Sequence, residues 1–328
     1  MKSSSLAKWI KIILPIALGL GLVFYSYNST TEEERALIWQ NMKDANFSWV
    51  TASIVIGLAS HLSRAWRWNY LLEPMGYRVS LLKGFMLVML SYFANLGIPR
   101  SGELFRATAL NTYNKVPFEK GFGTVVTERI VDLLMLLIVL ILTFLVQSNQ
   151  LFELISNGGK SVGIFLSLGF IALVGLTISI KLLQKSSHPL ALKFSTFLKG
   201  LQEGVNSVLH MKKKWHFIGH TLFIWVCYIA MFWVIQYAIV DLREIHFNEI
   251  LVGFIAGTFA MTTTNGGVGL YPIAISSSLA LFEISKIQGD AYGWIMWIAQ
   301  TLLVVILGVL SFLFIPFLKD NTPKNGQD

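Results

Sequence analysis

The sequence predicts an all-α polytopic membrane protein, and three observations carry that expectation. Of 328 residues, 54% are hydrophobic and only 13% are charged, where a soluble domain carries about 25% charged residues. Several apolar runs approach about twenty residues, the length that crosses a hydrocarbon core. The Lys and Arg residues sit in short segments between those runs, as membrane topology demands. The formal charge of +8 is therefore a topology signal, and no nucleic-acid partner is expected. The mean hydropathy of +0.62 agrees.

The elements follow in chain order. Residues 9–27 form the first expected span. Its basic flank resembles a signal sequence, but FYSYNST lacks a small-residue cleavage site, so a retained span is expected. The run EEERALIWQNMKDA reads as an interfacial helix, opened by a capping box of Thr31 with Glu34. Further spans are expected near 49–69, 121–146, 161–184, 217–240 and 290–317. Cys227 is the single cysteine and lies inside an apolar run, so neither an internal disulfide nor a cysteine metal cage is expected.

Two other apolar stretches, 81–113 and 248–284, are interrupted in the middle, by GIPRSGE and by TTTNGGVGLYP. Gly and Pro stop helices at such points. Broken backbone at membrane depth persists only where protein or enclosed water satisfies it. The chain is thus expected to be a single integral membrane domain over 1–328. Its first half, about 49–184, carries one broken hairpin. Its second half, about 217–317, carries the other, in the manner of an inverted repeat. In about 189–212, Leu190, Phe194, Phe197, Leu201, Val205 and Val208 recur at steps of three and four. That pattern suits a helix on the leaflet surface or one covering the protein's own underside.

Charge sets the orientation. With the N-terminus inside, eighteen Lys and Arg fall inside, and Arg35, Lys43, Lys160, Arg243 and Lys286 fall outside. This bias holds only if each broken stretch enters and leaves by the same side. The expected location is the cell (inner) membrane, multi-pass, with both termini cytoplasmic.

Ionisable groups inside a membrane are functional candidates by default. The first break supplies Asn95, Pro99, Arg100, Gly102, Glu103 and Arg106. A new helix starting near Gly102 would offer its dipole and N–H groups to an anion beside Arg100. Glu103 and Arg106 lie one turn apart and suit either an internal ion pair or a ligand site. The next span adds Glu128, Arg129 and Asp132, so three acids can balance three bases. The second break holds no charge. It offers Asn265 and three threonines as neutral hydrogen-bonding groups, with Gly266, Gly267 and Gly269 allowing tight turns and close approach. His61 with Arg64 reads as a pair reaching toward the cytoplasmic surface, with a site role as the alternative, and Trp66, Trp68, Trp294 and Trp297 read as interface anchors. No catalytic, metal or nucleotide motif is present, so no catalytic residue, metal or cofactor is expected.

At these residues the chain resembles the transmembrane region of the lysylphosphatidylglycerol synthase family, a flippase-like group. The resemblance runs over roughly 10–317. It rests on N-x-x-x-P-R-x-G-E-x-x-R at Asn95–Arg106, E-R-x-x-D at Glu128–Asp132 and G-G-x-G at Gly266–Gly269. It implies an inverted-repeat fold and movement of aminoacylated phospholipids between leaflets. In two-part members a separate soluble domain attaches the amino acid. No stretch of this sequence has that character, so synthase activity is not expected of it. The chain departs from the usual second motif. Asn265 stands for a Pro, Pro272 for a Glu, and Gln300 is the polar residue nearest the last span's usual Arg.

The function expected is a lipid translocase holding an anionic or phosphate-bearing lipid in a midplane cavity. A membrane-embedded enzyme acting on a lipid-linked substrate and a non-transporting scaffold for a partner enzyme are the rival readings. The oligomeric state is left open.

The charge bias generates a topology prediction. In a Cys227→Ala background, a cysteine at Gln150 should react with an impermeant thiol reagent added to intact cells, and one at Lys199 should not. Labelling at Lys199 from outside would overturn the double-hairpin topology.

Overall fold

A computed structural model describes residues 5–98, 100–147, 207–240, 242 and 244–318, with side chains from residue 17 onward. Every regular element among the described residues is helical: α1 (Ser5–Asn28), α2 (Glu32–Lys43), α3 (Phe47–Leu72), α4 (Leu81–Gly97), α5 (Gly102–Asn114), α6 (Phe118–Val146), α7 (Lys214–Trp233), α8 (Phe247–Thr263), α9 (Leu270–Ala280) and α10 (Lys286–Phe314), with short 3-10 turns between some of them. Three stretches, Phe118–Val146, Lys214–Ala238 and Lys286–Phe317, are long and apolar enough to cross a membrane. A fourth is reached if α2 and the segment beginning with α3, bent by 73°, count as one span. The protein is an all-α polytopic membrane protein. The span expected at 161–184 and most of the amphipathic helix expected at 189–212 lie outside the described residues.

Local signals explain the element boundaries. The capping box at Thr31 forms: Thr31 Oγ1 accepts the Glu34 amide at 3.1 Å and Glu34 Oε2 accepts the Thr31 amide at 2.8 Å. α2 buries no residue, which fits the interfacial reading of its sequence. Asn46 caps α3 through the Ser48 amide, and Ser80 caps α4 through the Lys83 amide. Both broken stretches divide where Gly and Pro accumulate, α4 from α5 across 98–101 and α8 from α9 across 264–269.

The chain forms two contact-defined units, one of residues 1–125 with 213–328 and one of residues 126–212. In the first, α3 is the hub, packed on α7, α4 and α10, while α10 also packs on α9, α4 and α2. Phe232 of α7 meets Phe254 of α8 and Tyr292 of α10 as ring pairs at 6.1 and 5.1 Å, and the Tyr292 hydroxyl donates to the Phe232 carbonyl. α9 and α10 approach through small residues. A Cβ at Gly293 would stand 2.6 Å from the Pro272 Cα, and one at Gly289 would stand 2.9 Å from the Ser276 Cα. Two small residues four apart bring backbones together in this way, and packing then replaces the hydrophobic drive that lipid does not supply. Pro272 sits in the first turn of α9, where a missing N–H costs little. In the second unit, the described part of α6 turns Leu137, Ile138, Ile141, Leu142 and Leu145 outward, as a lipid-facing helix does.

α4 and α5 form a close-packed hairpin. A Cβ at Gly102 would fall 2.0 Å from the Ser91 carbonyl oxygen, while one at Gly97 would meet nothing within 4 Å among the described residues. Gly102→Ala should therefore lower stability by about 1–3 kcal/mol through forced separation of the helices, and Gly97→Ala should be close to neutral. Melting curves of both variants in mild detergent check this.

Candidate functional site

The first break is locked by its own side chains. α4 ends at Gly97, and Ile98 leaves the helix with extended backbone. The Ser101 amide donates to the Ile98 carbonyl at 3.2 Å. The Ser101 hydroxyl donates to the Ala94 carbonyl at 3.1 Å. The Gly102 amide, first in α5, donates to Asn95 Oδ1 at 2.8 Å. Asn95 therefore caps α5 from within the last turn of α4. The N-x-x-x-P-R-x-G segment is a hairpin clasp: Asn95 supplies the cap and Gly102 the close approach. Glu103 stands in the first turn of α5, where the helix dipole favours an acid. Pro99 lies outside the described residues.

Arg100 differs from its neighbours. Its φ is +60°, a left-handed conformation that costs a non-glycine residue about 1–2 kcal/mol. Its side chain is exposed, and among the described residues it makes no hydrogen bond or ion pair. Ile98, Leu104 and Phe105 beside it are also exposed, at 44%, 50% and 51%. The cation thus stands on an apolar surface.

Arg106 behaves otherwise. It is buried, with its guanidinium carbon 3.7 Å from the centroid of the Trp68 ring. Trp68 Nε1 donates to Thr124 Oγ1 at 2.8 Å, so α5, α3 and the start of α6 are joined through one arginine-aromatic stack. Trp68, expected as an interface anchor, is 1% exposed and belongs to this core.

The second break meets the first. Gly266, Gly267 and Gly269 have φ of +60°, +76° and +72°, which glycine adopts without strain. Asn265 Nδ2 donates to the Gly97 carbonyl at 3.5 Å. A Cβ at Gly266 would stand 2.4 Å from Leu96 Cδ2. The Gly266 carbonyl accepts Trp297 Nε1 at 2.7 Å, so Trp297 holds this tip to α10. A Cβ at Gly269 would meet the Gly19 carbonyl oxygen of α1 at 2.5 Å, and one at Gly267 would meet Met261 Sδ at 2.8 Å. At all three glycines the close neighbour is protein. The hydroxyls of Thr262 and Thr263 donate back to Phe259, whereas the Thr264 hydroxyl is buried with no hydrogen-bond partner among the described residues. Asn95, Arg100 and Gly102 of one tip thus share a region of the first unit with Asn265 and Gly266 of the other. Glu128, Arg129 and Asp132 lie in the second unit, where Glu128 is buried, Asp132 half-buried and Arg129 exposed.

One polar series was not anticipated as a buried feature. His61 and Arg64 do not reach for the surface, since both are buried, and so is Arg67. Arg64 donates to the Tyr228 hydroxyl at 3.1 Å. Arg67 donates to Thr221 Oγ1 at 2.9 Å and lies 5.1 Å over the Phe217 ring. The Ser63 hydroxyl is hydrogen-bonded to His220 Nδ1 at 2.8 Å. Nearer the other end of α3, Ser53 bonds the Met231 carbonyl and receives Gln300 Nε2 at 3.3 Å. Gln300 is thus engaged within the helix packing. The spacing of Arg64, Arg67 and Ser60 on one face of α3 was the available signal, but the partners on α7 are more than 150 positions away.

A family model of the lysylphosphatidylglycerol synthase transmembrane region matches residues 12–308. The chain belongs to that family. Among curated proteins it is similar to UPF0104 membrane protein MJ1595 of Methanocaldococcus jannaschii, with 22% identity over 83% of this chain and 86% of that protein. It is also similar to glycosyltransferase AglD of Haloferax volcanii, with 33% identity over 28% of this chain and 15% of that protein. No solved structure matches.

The clasp separates structure from exposure. Asn95→Ala should cost about 1 kcal/mol, the usual worth of a helix cap. Arg100→Gly should leave stability equal or raise it by about 1 kcal/mol, because the left-handed strain is relieved. Unfolding of the detergent-solubilised variants measures both.

Proposed function

We propose that this membrane protein moves an anionic or phosphate-bearing lipid between leaflets, with Arg100 as the group that receives the phosphate. One observation carries the reading. At position 100 glycine would be cheaper, yet an arginine stands there, exposed, strained and flanked by exposed apolar residues. Strain retained in this way marks a residue kept for function. A cation on an apolar surface suits an amphipathic ligand, whose acyl chains cover Ile98, Leu104 and Phe105 while the phosphate takes the guanidinium. A free, hydrated anion would gain nothing from that surround.

The family assignment supports the reading at the level of a membrane domain of the lysylphosphatidylglycerol synthase type. In this proposal the contact of Asn265 and Gly266 with Gly97 and Leu96 is the closed state of a midplane site, and the headgroup passes when the tips part. Glu103 and Arg106 supply the charge beside the tips, and Glu128, Arg129 and Asp132 carry three further charges in the second unit. Asn95, Gly102, Gly267 and Gly269 shape the tips. Both termini lie on the cytoplasmic side of the cell membrane. We read the chain as a carrier and not as an enzyme. The glycosyltransferase relative aligns over only 15% of its length, so its activity is not transferred.

Reconstitution tests this directly. Vesicles holding wild-type protein should move a fluorescent anionic phospholipid between leaflets without altering it chemically. Arg100→Gly should slow that movement at least about tenfold, the equivalent of one charge-assisted contact, with no loss of thermal stability. Equal rates in both proteins would remove Arg100 from the mechanism, and a chemically changed lipid would favour an enzyme.

A further inference from the structure

We infer that a cleft beside the Glu73 end of α3 is a second lipid site, which holds the phosphate of an anionic phospholipid. The cleft, about 450 Å³ in volume, is lined by Trp66, Tyr70, Glu73, Arg78, Ser80 and Leu81, among others. Its wall is pre-formed. Asn69 Nδ2 donates to the Val79 carbonyl, and the Val79 amide donates to Asn69 Oδ1, both at 2.8 Å. One carboxamide thus fixes the turn that carries Arg78.

Charge in the cleft is uneven. Glu73 is neutralised by Lys213 Nζ at 2.7 Å. Arg78 is exposed, and among the described residues it has no ion pair or hydrogen bond. The positive N-terminal end of α4 begins beside it at Leu81, after the Ser80 cap. An anion is therefore the complement that this cleft lacks. The rim identifies the carrier of that anion. Trp66, Leu81 and Leu82 are exposed at 52%, 38% and 54%, and Trp66 is stacked on His220 at 5.9 Å. An amphipathic aromatic beside exposed leucines is the signature of a membrane interface, so acyl chains, and not bulk water, adjoin the bound phosphate.

This site does not rest on the role proposed for Arg100. α4 has seventeen residues, so its two ends lie about 25 Å apart, and Arg78 and Arg100 stand beyond opposite ends. One headgroup cannot occupy both places.

The test uses the full chain in mild detergent in the Arg100→Gly background, which removes the other cation. Short-chain phosphatidylglycerol, short-chain phosphatidylcholine and inorganic phosphate are titrated in turn by calorimetry. Phosphatidylglycerol is expected to bind at least about tenfold more tightly than either competitor. Arg78→Gln should weaken it at least about tenfold, Arg78→Lys should recover part of the loss, and Trp66→Ala should weaken the lipid without changing phosphate binding. Unchanged phosphatidylglycerol affinity in folded Arg78→Gln would overturn the site. Phosphate binding as tightly as the lipid would make it a soluble-anion site, and equal binding of phosphatidylcholine would make it indifferent to charge. Either result would overturn the proposal. Loss of lipid movement in Arg100→Gly with this binding intact would separate the two sites.

Discussion

Two interrupted helices meet at their tips, and much of the first unit is arranged to allow it. Gly266 can stand against Leu96 only because it has no Cβ. Its left-handed backbone turns its carbonyl to Trp297. Asn265 reaches the Gly97 carbonyl, which α4 exposes by ending there. Behind the tips, α1 closes on Gly269, and α9 is pressed against α10 through Pro272 and Gly293. Helix ends at membrane depth would otherwise leave polar backbone in hydrocarbon, at a cost of several kcal/mol per group. The tip contact and the Asn95 clasp are where that cost is offset.

Against this economy Arg100 is an exception. Its neighbours hold the segment together. Ser101 and Asn95 bond the backbone, Gly102 permits the close hairpin, and Arg106 covers Trp68. Arg100 does none of these things, and its backbone is strained. Arg64 and Arg67 stand in contrast. Those two arginines are buried and hydrogen-bonded to Tyr228 and Thr221. They join α3 to α7 as struts within the helix packing.

How far the sequence revealed this depended on range. The helix breaks were legible because Gly and Pro act locally, and the Thr31 capping box because its two residues are three apart. The candidate residues of the first break were legible as a set, but the Asn95 cap on Gly102 needed the hairpin to exist first. His61 and Arg64 were misread as surface-seeking, since a charge near a span end reaches outward or turns inward according to partners on another helix. The glycines of the second break read as positions for tight turns or for a ligand's close approach. Their neighbours are Leu96, Met261 and Gly19, and for Leu96 and Gly19 the sequence separation hides the contact. The same holds for Trp68 and Trp297, whose indole nitrogens bond Thr124 and Gly266 instead of interfacial water.

The central claim is that the two tips meet in the resting protein and must part for a lipid to pass. A disulfide tests it most directly. In a Cys227→Ala background, Leu96→Cys with Gly266→Cys places one thiol on each tip, at residues that touch across it: a Cβ at Gly266 would stand 2.4 Å from Leu96 Cδ2, so the two Cβ atoms lie about 4–5 Å apart, near the separation that a disulfide takes. Mild oxidation is expected to cross-link the pair and halt lipid movement in reconstituted vesicles, and a reductant is expected to restore it. A pair that resists cross-linking, or a cross-linked protein that moves lipid at the uncross-linked rate, would contradict the claim.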